Sequence, residues 1–261
     1  MQIAMFVTCL NDAFYPDVGR ATVAVLERLG HDVVFPEQQT CCGQMHFNSG
    51  HWKQARTLAR RVVDEFLSYE VVVAPSASCA GTILHSYAHL AAGLGDSALV
   101  AGARELAPRV HELSQLLVDV LGVVDVGAAF PHRVSYHPTC HALRVLHVDE
   151  QPIKLLRAVK GLELVEFEGR ASCCGFGGTF ALGNWAVSTS MLGDKLAAVR
   201  GGGAEVLCAL DSSCLAHIGG GASRLGLGIR TVHLAQILAG SRDAAAPRGG
   251  PGGPGGPEVL P

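Results

Sequence analysis

Two adjacent-cysteine doublets, Cys41-Cys42-Gly43 and Cys173-Cys174-Gly175, constrain this chain more than any other feature. Neighbouring Cα atoms lie about 3.8 Å apart, whereas an unstrained disulfide needs about 4.4–6.8 Å. A doublet is therefore a poor disulfide and a good pair of metal-binding thiolates. The second copy turns the motif into a pattern, because each doublet is flanked by further cysteines at nearly the same distances. Thirty-one residues separate Cys9 from Cys41 and thirty-two separate Cys140 from Cys173. Thirty-six lie between Cys42 and Cys79, and thirty-nine between Cys174 and Cys214.

The surrounding residues repeat in the same order. Phe6-Val7-Thr8-Cys9 matches His137-Pro138-Thr139-Cys140, and Pro75-Ser76-Ala77-Ser78-Cys79 matches Leu210-Asp211-Ser212-Ser213-Cys214. Val110-His111-Glu112-Leu113-Ser114-Gln115-Leu116 is echoed by Val232-His233-Leu234-Ala235-Gln236-Ile237-Leu238. This is a duplication. It divides the chain into a first repeat over 1–128, a second over 129–240, and a Gly/Pro-rich tail over 241–261 whose composition cannot build a core and predicts disorder.

Each repeat alternates strand and helix signals. Ile3 to Val7 is a short apolar run, followed by Val18, Thr22, Val25, Leu26 and Leu29 at helical spacing up to Gly30. His31 to Phe35 reads as a second strand, Trp52 to Phe66 as a long amphipathic helix, and Val71 to Ala74 as a third strand ended by Pro75. In the second repeat the same signals fall at Arg133 to Tyr136, Glu163 to Phe167, Phe180 to Val199 and Ala204 to Ala209. Such alternation implies parallel sheets, hence an α/β fold of two tandem, duplicated Rossmann-like units related by a pseudo-twofold. Ligands of parallel sheets gather beyond the carboxyl ends of the strands, where all the doublets and flanking cysteines fall. A cysteine-lined cleft between the repeats is the expected site.

Composition narrows the function. A net charge of −3 without a basic stripe offers nothing to a nucleic acid. The apolar start is short, lacks a basic lead-in and runs into Thr8-Cys9, so it predicts a buried strand rather than an export signal. No apolar run reaches the roughly 20 residues of a membrane span. Nine cysteines without an export signal point to a reducing cytoplasm, where thiols serve metals or redox chemistry.

Four thiolates per repeat equal the ligand number of a four-iron cluster or a tetrahedral zinc ion: Cys9, Cys41, Cys42 and Cys79, then Cys140, Cys173, Cys174 and Cys214. Structural zinc sites usually draw on two close-spaced pairs, and here only the doublet is close, so spacing leans towards iron–sulfur. Gly43 and Gly175 permit close backbone approach and N–H groups aimed at sulfur. Phe176-Gly177-Gly178 does not follow the strand–glycine–helix register of a dinucleotide site, so no nicotinamide or flavin is expected. A thiol–disulfide reductase would want a Cys-x-x-Cys motif, which is missing. Catalytic residues are not identifiable.

The twofold pattern of Cys, Cys-Cys-Gly and a last Cys resembles the cysteine-rich CCG domain family, which includes the cysteine-rich component of heterodisulfide reductase and the iron–sulfur subunits of glycolate oxidase and anaerobic glycerol-3-phosphate dehydrogenase. Two such domains without an amino-terminal ferredoxin segment, and the endings Pro75-Ser-Ala-Ser-Cys79 and Asp211-Ser-Ser-Cys-Leu-Ala-His-Ile218, are most similar to its lactate-utilization branch. That resemblance implies one or two iron–sulfur clusters, of the 4Fe-4S kind, in a cytoplasmic multi-component system oxidising L-lactate to pyruvate. It implies two partners, a ferredoxin-like iron–sulfur subunit and a third small subunit. Glycolate, glycerol 3-phosphate and heterodisulfides are the alternative substrates. Relatives whose motif ends in Cys-x-x-Cys hold a non-cubane cluster with their cysteines. This chain has Ser76 and Asp211 where that motif has its extra cysteine, so four-cysteine ligation, or an oxygen ligand from either, fits it better.

Other residues have plainer expectations. Thirty-three residues separate Cys174 from Cys208, as they separate Cys42 from Ser76, but Cys208 falls within a strand pattern, which predicts a core thiol. His137, His141 and His217 flank the cysteines and are expected to donate hydrogen bonds or lie in loops rather than ligate. His111 and His233 are expected to cap matching helices, Asp211 to cap its own. Trp52 and Trp185 are expected to be core contacts of matching helices.

Overall fold

The computed structural model describes residues 1–240; the tail expected to be disordered lies outside the described residues. In the first repeat β1 (Gln2–Met5) leads through α1 (Cys9–Phe14) and α2 (Pro16–Arg28) to β2 (Asp32–Val34), and α3 (Gln44–Asn48) and α4 (Trp52–Phe66) precede β3 (Val72–Ala74). Then α5 (Ala77–Gly81), α6 (Tyr87–Gly93) and α7 (Ser97–Leu106) lead to β4 (Val110–Glu112) and the short α8 (Leu113–Gln115). In the second repeat β5 (Arg133–Tyr136), α9 (Glu150–Ala158), β6 (Glu163–Leu164), α10 (Phe180–Gly183), α11 (Trp185–Gly202), β7 (Val206–Ala209), α12 (Ser212–Arg224), β8 (Arg230–His233) and α13 (Leu234–Ala239) follow in order.

Local chemistry sets these limits. Pro16 opens α2, where its missing N–H is not needed, and Val18, Ala21, Thr22, Val25 and Leu26 bury one face. Gly30, at φ 83°, ends that helix in a left-handed turn that a side chain would strain. The helix expected over Phe180 to Val199 is two helices, broken at Asn184, whose φ of −126° is not helical.

Every strand pair is parallel, in the order β2-β1-β3-β4 in one sheet and β6-β5-β7-β8 in the other. The α/β fold of two duplicated units is thus as expected, with a fourth strand in each that the alternation of signals did not predict. β4 and β8 are the segments already noticed as echoes of one another. In both sheets the chain turns outward in opposite directions from the central pair, β1 with β3 and β5 with β7. That is the topological switch point, where the loops part and leave room for a ligand.

The repeats pack reciprocally. α13 of the second lies on α2 of the first, as α8 of the first lies on α9 of the second. Arg28, at the end of α2, donates to the carbonyls of Leu238 (3.0 Å) and Ala239 (2.6 Å) at the end of α13, where a cation suits the helix dipole. α1 packs on α12, and α5 on the π turn Ala142–Leu146 that follows Cys140. The larger apolar core runs through both repeats, from Phe6 and Phe66, edge-to-face at 5.5 Å, to Val134, Leu234 and Leu238, and a smaller one around Phe167, Leu196 and Ile218 lies within the second repeat.

Candidate metal centres

Strand ends carry the thiols to the switch points. Cys9 follows β1 and opens α1, and Cys79 follows β3 within α5; Cys140 follows β5 and Cys214 follows β7 within α12. Each doublet lies in the loop beyond the neighbouring strand, β2 or β6. In the first repeat Cys9 Sγ is 3.4 Å from Cys41 Sγ and Cys42 Sγ is 3.3 Å from Cys79 Sγ. In the second, the Cys174 and Cys214 sulfurs lie within 4.8 Å of each other, and Cys173 is electrostatically linked to Cys140 and Cys174. All eight sequence-predicted thiols therefore converge, four to a repeat. None is in a disulfide.

The glycine after each doublet aims its N–H back at the first sulfur, Gly43 to Cys41 and Gly175 to Cys173, both at 3.4 Å. This requires positive φ, 81° and 92°. Tyr87, buried, donates to the Cys42 carbonyl at 2.8 Å and fixes the first doublet from behind, a role no sequence pattern announced. Within each doublet the first cysteine is half-buried and the second buried.

Electrostatics follow from this packing. Cys41 is held far below the thiol range, to about 2, by hydrogen bonds from Cys42 and then Cys9. Cys173 is held at about 2 by Cys140 and then Cys174. Cys9, Cys42, Cys140 and Cys174 are pushed up, each chiefly by the hydrogen bond it gives to Cys41 or Cys173. In each set the packing thus favours the first cysteine of the doublet as the thiolate, and the glycine N–H points at the same sulfur.

The repeats differ beside the thiols. His137 is wholly buried, with Nδ1 3.3 Å from the Arg170 carbonyl oxygen, and one of its ring nitrogens lies within 4.8 Å of the Cys174 and Cys214 sulfurs. Burial first, and then the nearby Lys195 cation, draw its pKa down to about 4. Lys195, 1% exposed, donates to the carbonyls of Gly169 (2.9 Å) and Arg170 (3.1 Å) and lies over the Phe167 ring. Burial lowers its pKa while the four thiols of the second set oppose that shift. In the first repeat the matching positions are Phe6 and Val62, both buried and apolar. Lys195 escaped notice because α11 has no clear apolar stripe against which a buried cation would stand out.

Cys208 is, as expected, a core thiol inside β7, paired with Tyr136, its pKa raised by burial. His141 Nε2 takes a bond from Gln44 of the other repeat at 2.8 Å, and His217 Nε2 faces Ser188 Oγ at 3.4 Å. His233 caps α13, its Nδ1 accepting from Ala235 N–H at 3.1 Å. His111 does not cap: it lies within β4, and Glu112 caps α8, so the true match to His233 is Glu112. Trp52 and Trp185 do open matching helices, but at 42% and 71% exposure neither is a core residue.

Asp211 stands at the N-cap of α12 yet does not cap it. Its carboxylate accepts instead from Ser76 Oγ (2.7 Å), Ser78 N–H (3.0 Å) and Ser78 Oγ (2.8 Å) of the first repeat, and from Thr139 Oγ1 (2.6 Å). Ser212 Oγ bonds Asn11 Oδ1 beside it at 2.5 Å. Where a cysteine-lined cleft was expected, the elements bearing Cys9 and Cys214, and those bearing Cys79 and Cys140, are packed together with Asp211 buried between the repeats.

The donor set fits a thiolate-bound metal group. Soft sulfur in fours, partly buried and met by backbone N–H, suits iron–sulfur clusters or zinc. The family model of the CCG cysteine-rich domain matches residues 3–84 and again 134–219. The chain is 46% identical over 238 residues to a protein of Geobacillus kaustophilus named lactate utilization protein A, covering 91% of this chain and 98% of that one. Proteins of the same name from Bacillus velezensis and Bacillus subtilis are 45% and 43% identical, each over 91% of this chain and 99% of theirs.

Proposed function

Because the chain belongs to the CCG cysteine-rich domain family, we propose that it is the iron–sulfur component of a multi-protein system that oxidises L-lactate to pyruvate. The observation that carries this reading is the pair of matched four-thiol sets at the two switch points. Cys9, Cys41, Cys42 and Cys79 would hold one group, and Cys140, Cys173, Cys174 and Cys214 the other, as 4Fe-4S clusters. When bound, such a group supplies one-electron acceptance, which the two-electron oxidation of a 2-hydroxy acid needs twice. The chain's own residues do the rest. Gly43 and Gly175 direct N–H dipoles at the sulfurs favoured as thiolates, and Tyr87 and Lys195 pin the loops that carry them. A ferredoxin-like iron–sulfur subunit and a third small subunit are the partners this reading requires, in the cytoplasm. Among the described residues no helix is long and apolar enough to cross a membrane.

One observation favours a second reading. In the first repeat two sulfur pairs, at 3.3 and 3.4 Å, are close to the edge of a tetrahedron about a single ion, which at a metal–sulfur distance of about 2.3 Å is roughly 3.8 Å. A zinc ion in each set would make the protein a scaffold rather than a carrier. Growth tests the role in lactate oxidation that both readings share, and metal content separates them. Deleting the gene should abolish growth on L-lactate and spare growth on pyruvate, with rescue by the native gene but not by Cys42→Ser or Cys174→Ser. Normal growth of the deletion strain on L-lactate would remove the proposed function.

A further inference from the structure

Resting on the reading that each thiol set holds a metal centre, we propose that the second centre takes a histidine ligand, Nε2 of His137, in place of one of its four thiols, and that the two centres of this chain are therefore chemically different. The Arg170 carbonyl can only accept, so the Nδ1 that faces it at 3.3 Å carries the ring proton and Nε2 presents a lone pair. The tautomer is enforced. Lys195 holds the same carbonyl at 3.1 Å and the preceding one at 2.9 Å, so the acceptor cannot swing away from the ring. Such a backbone anchor on the far nitrogen is the usual device for aiming a metal-binding imidazole.

Nε2 has no hydrogen-bond partner, although the side chain is fully buried. A ring nitrogen of His137 and the sulfurs of Cys174 and Cys214 lie within 4.8 Å of one another, and with Nδ1 committed, Nε2 is the nitrogen whose lone pair is free. Sulfurs bound to a metal as thiolates have no proton to give it. The partner left for the lone pair is the metal that the sulfurs hold. The two other histidines near the second set are already engaged, His217 with Ser188 and His141 with Gln44. In the first repeat Phe6 occupies the place of His137, so that set has no equivalent histidine at its strand end. The duplication has thus diverged at the one buried position that faces the thiols from the strand end.

The test uses the full chain, stripped of metal and loaded with cobalt(II) alone without oxygen, with 15N-labelled histidine read by pulsed electron paramagnetic resonance. The native chain should show a strongly coupled histidine nitrogen. The coupling should persist in Cys42→Ser, which disables the first set, and vanish in Cys174→Ser and in His137→Phe. His217→Phe should keep it. Absence of a coupled nitrogen in the native chain, its survival in His137→Phe, or its loss with Cys42→Ser and not Cys174→Ser would each overturn the assignment; the two cysteine variants decide the matter even if His137→Phe fails to fold. Iron and sulfide uptake is measured separately. Failure of that uptake with the cobalt–nitrogen coupling intact removes the cluster reading and leaves the ligand standing, and uptake without any coupling does the reverse.

Discussion

A methyl group placed on Gly175 would meet the Ser188 carbonyl oxygen at 2.6 Å and Met191 Cβ at 3.1 Å, at a backbone φ of 92°. At Gly43 the nearest contact is Leu58 Cβ at 3.3 Å, at φ 81°. Both positions carry a left-handed penalty of about 1–2 kcal/mol for a side chain, and overlap with a main-chain oxygen, which cannot rotate away, adds about 1–3 kcal/mol only at Gly175. Gly175→Ala should therefore lower the unfolding free energy by about 3 kcal/mol and Gly43→Ala by about half that, measured by denaturant titration of the metal-free protein. Equal losses would show that the two doublet loops are not held as described. The doublets, their glycines and the four flanking cysteines were legible in the sequence because spacing and residue type alone define them. His137 was legible only as a neighbour of Cys140. Its role depends on which nitrogen faces Arg170, thirty-three positions away in sequence, and spacing has nothing to say about that.

At the scale of elements, strands and long helices announced themselves through apolar runs, while their ends depended on partners far along the chain. β4 and β8 are too short and mixed in polarity to stand out, Val110-His111-Glu112 and Arg230-Thr231-Val232-His233, and become strands because β3 and β7 offer them an edge. Counting from the doublet equated Cys208 with Ser76; counting from the strand ends equates Asp211 with it, since each lies two residues past β3 or β7. The helices after β4 and β8 are capped by Glu112 and His233, each with a reciprocal glutamine, Gln115 or Gln236. Burial raises Glu112 from 4.5 to about 7 and lowers His233 from 6.5 to about 4. Between those limits the native state keeps a proton on Glu112 that the unfolded chain releases, so this cap loses stability as pH rises from about 4.5 to about 7. The native state refuses His233 a proton that the unfolded chain takes up, so that cap loses stability as pH falls from about 6.5 to about 4. The two oppose one another over their shared range. Glu112→Gln should steepen the loss of stability on acidification, and His233→Gln should remove part of it; identical pH profiles for the native chain and both variants would refute the burial assigned to these caps.

The whole molecule is a duplication that has become one body. Its larger core runs through both repeats, the terminal helix of each lies on the other, and the carboxylate of Asp211 is satisfied largely by hydroxyls and an N–H from across the boundary. At that boundary Ser76 and Asp211, equivalent by duplication, bond each other at 2.7 Å. The positions that could have supplied one more cysteine to each set serve instead to join the repeats. The duplication was legible in the sequence, whereas this joint was not, because repeats align residues by order and give no account of which equivalent pairs meet. The central claim, that the eight thiols hold iron and sulfide, is tested most directly by assaying iron, zinc and acid-labile sulfide in the chain purified without oxygen. About four to eight irons per chain with matching sulfide are the predicted result. Stoichiometric zinc with no sulfide would contradict it.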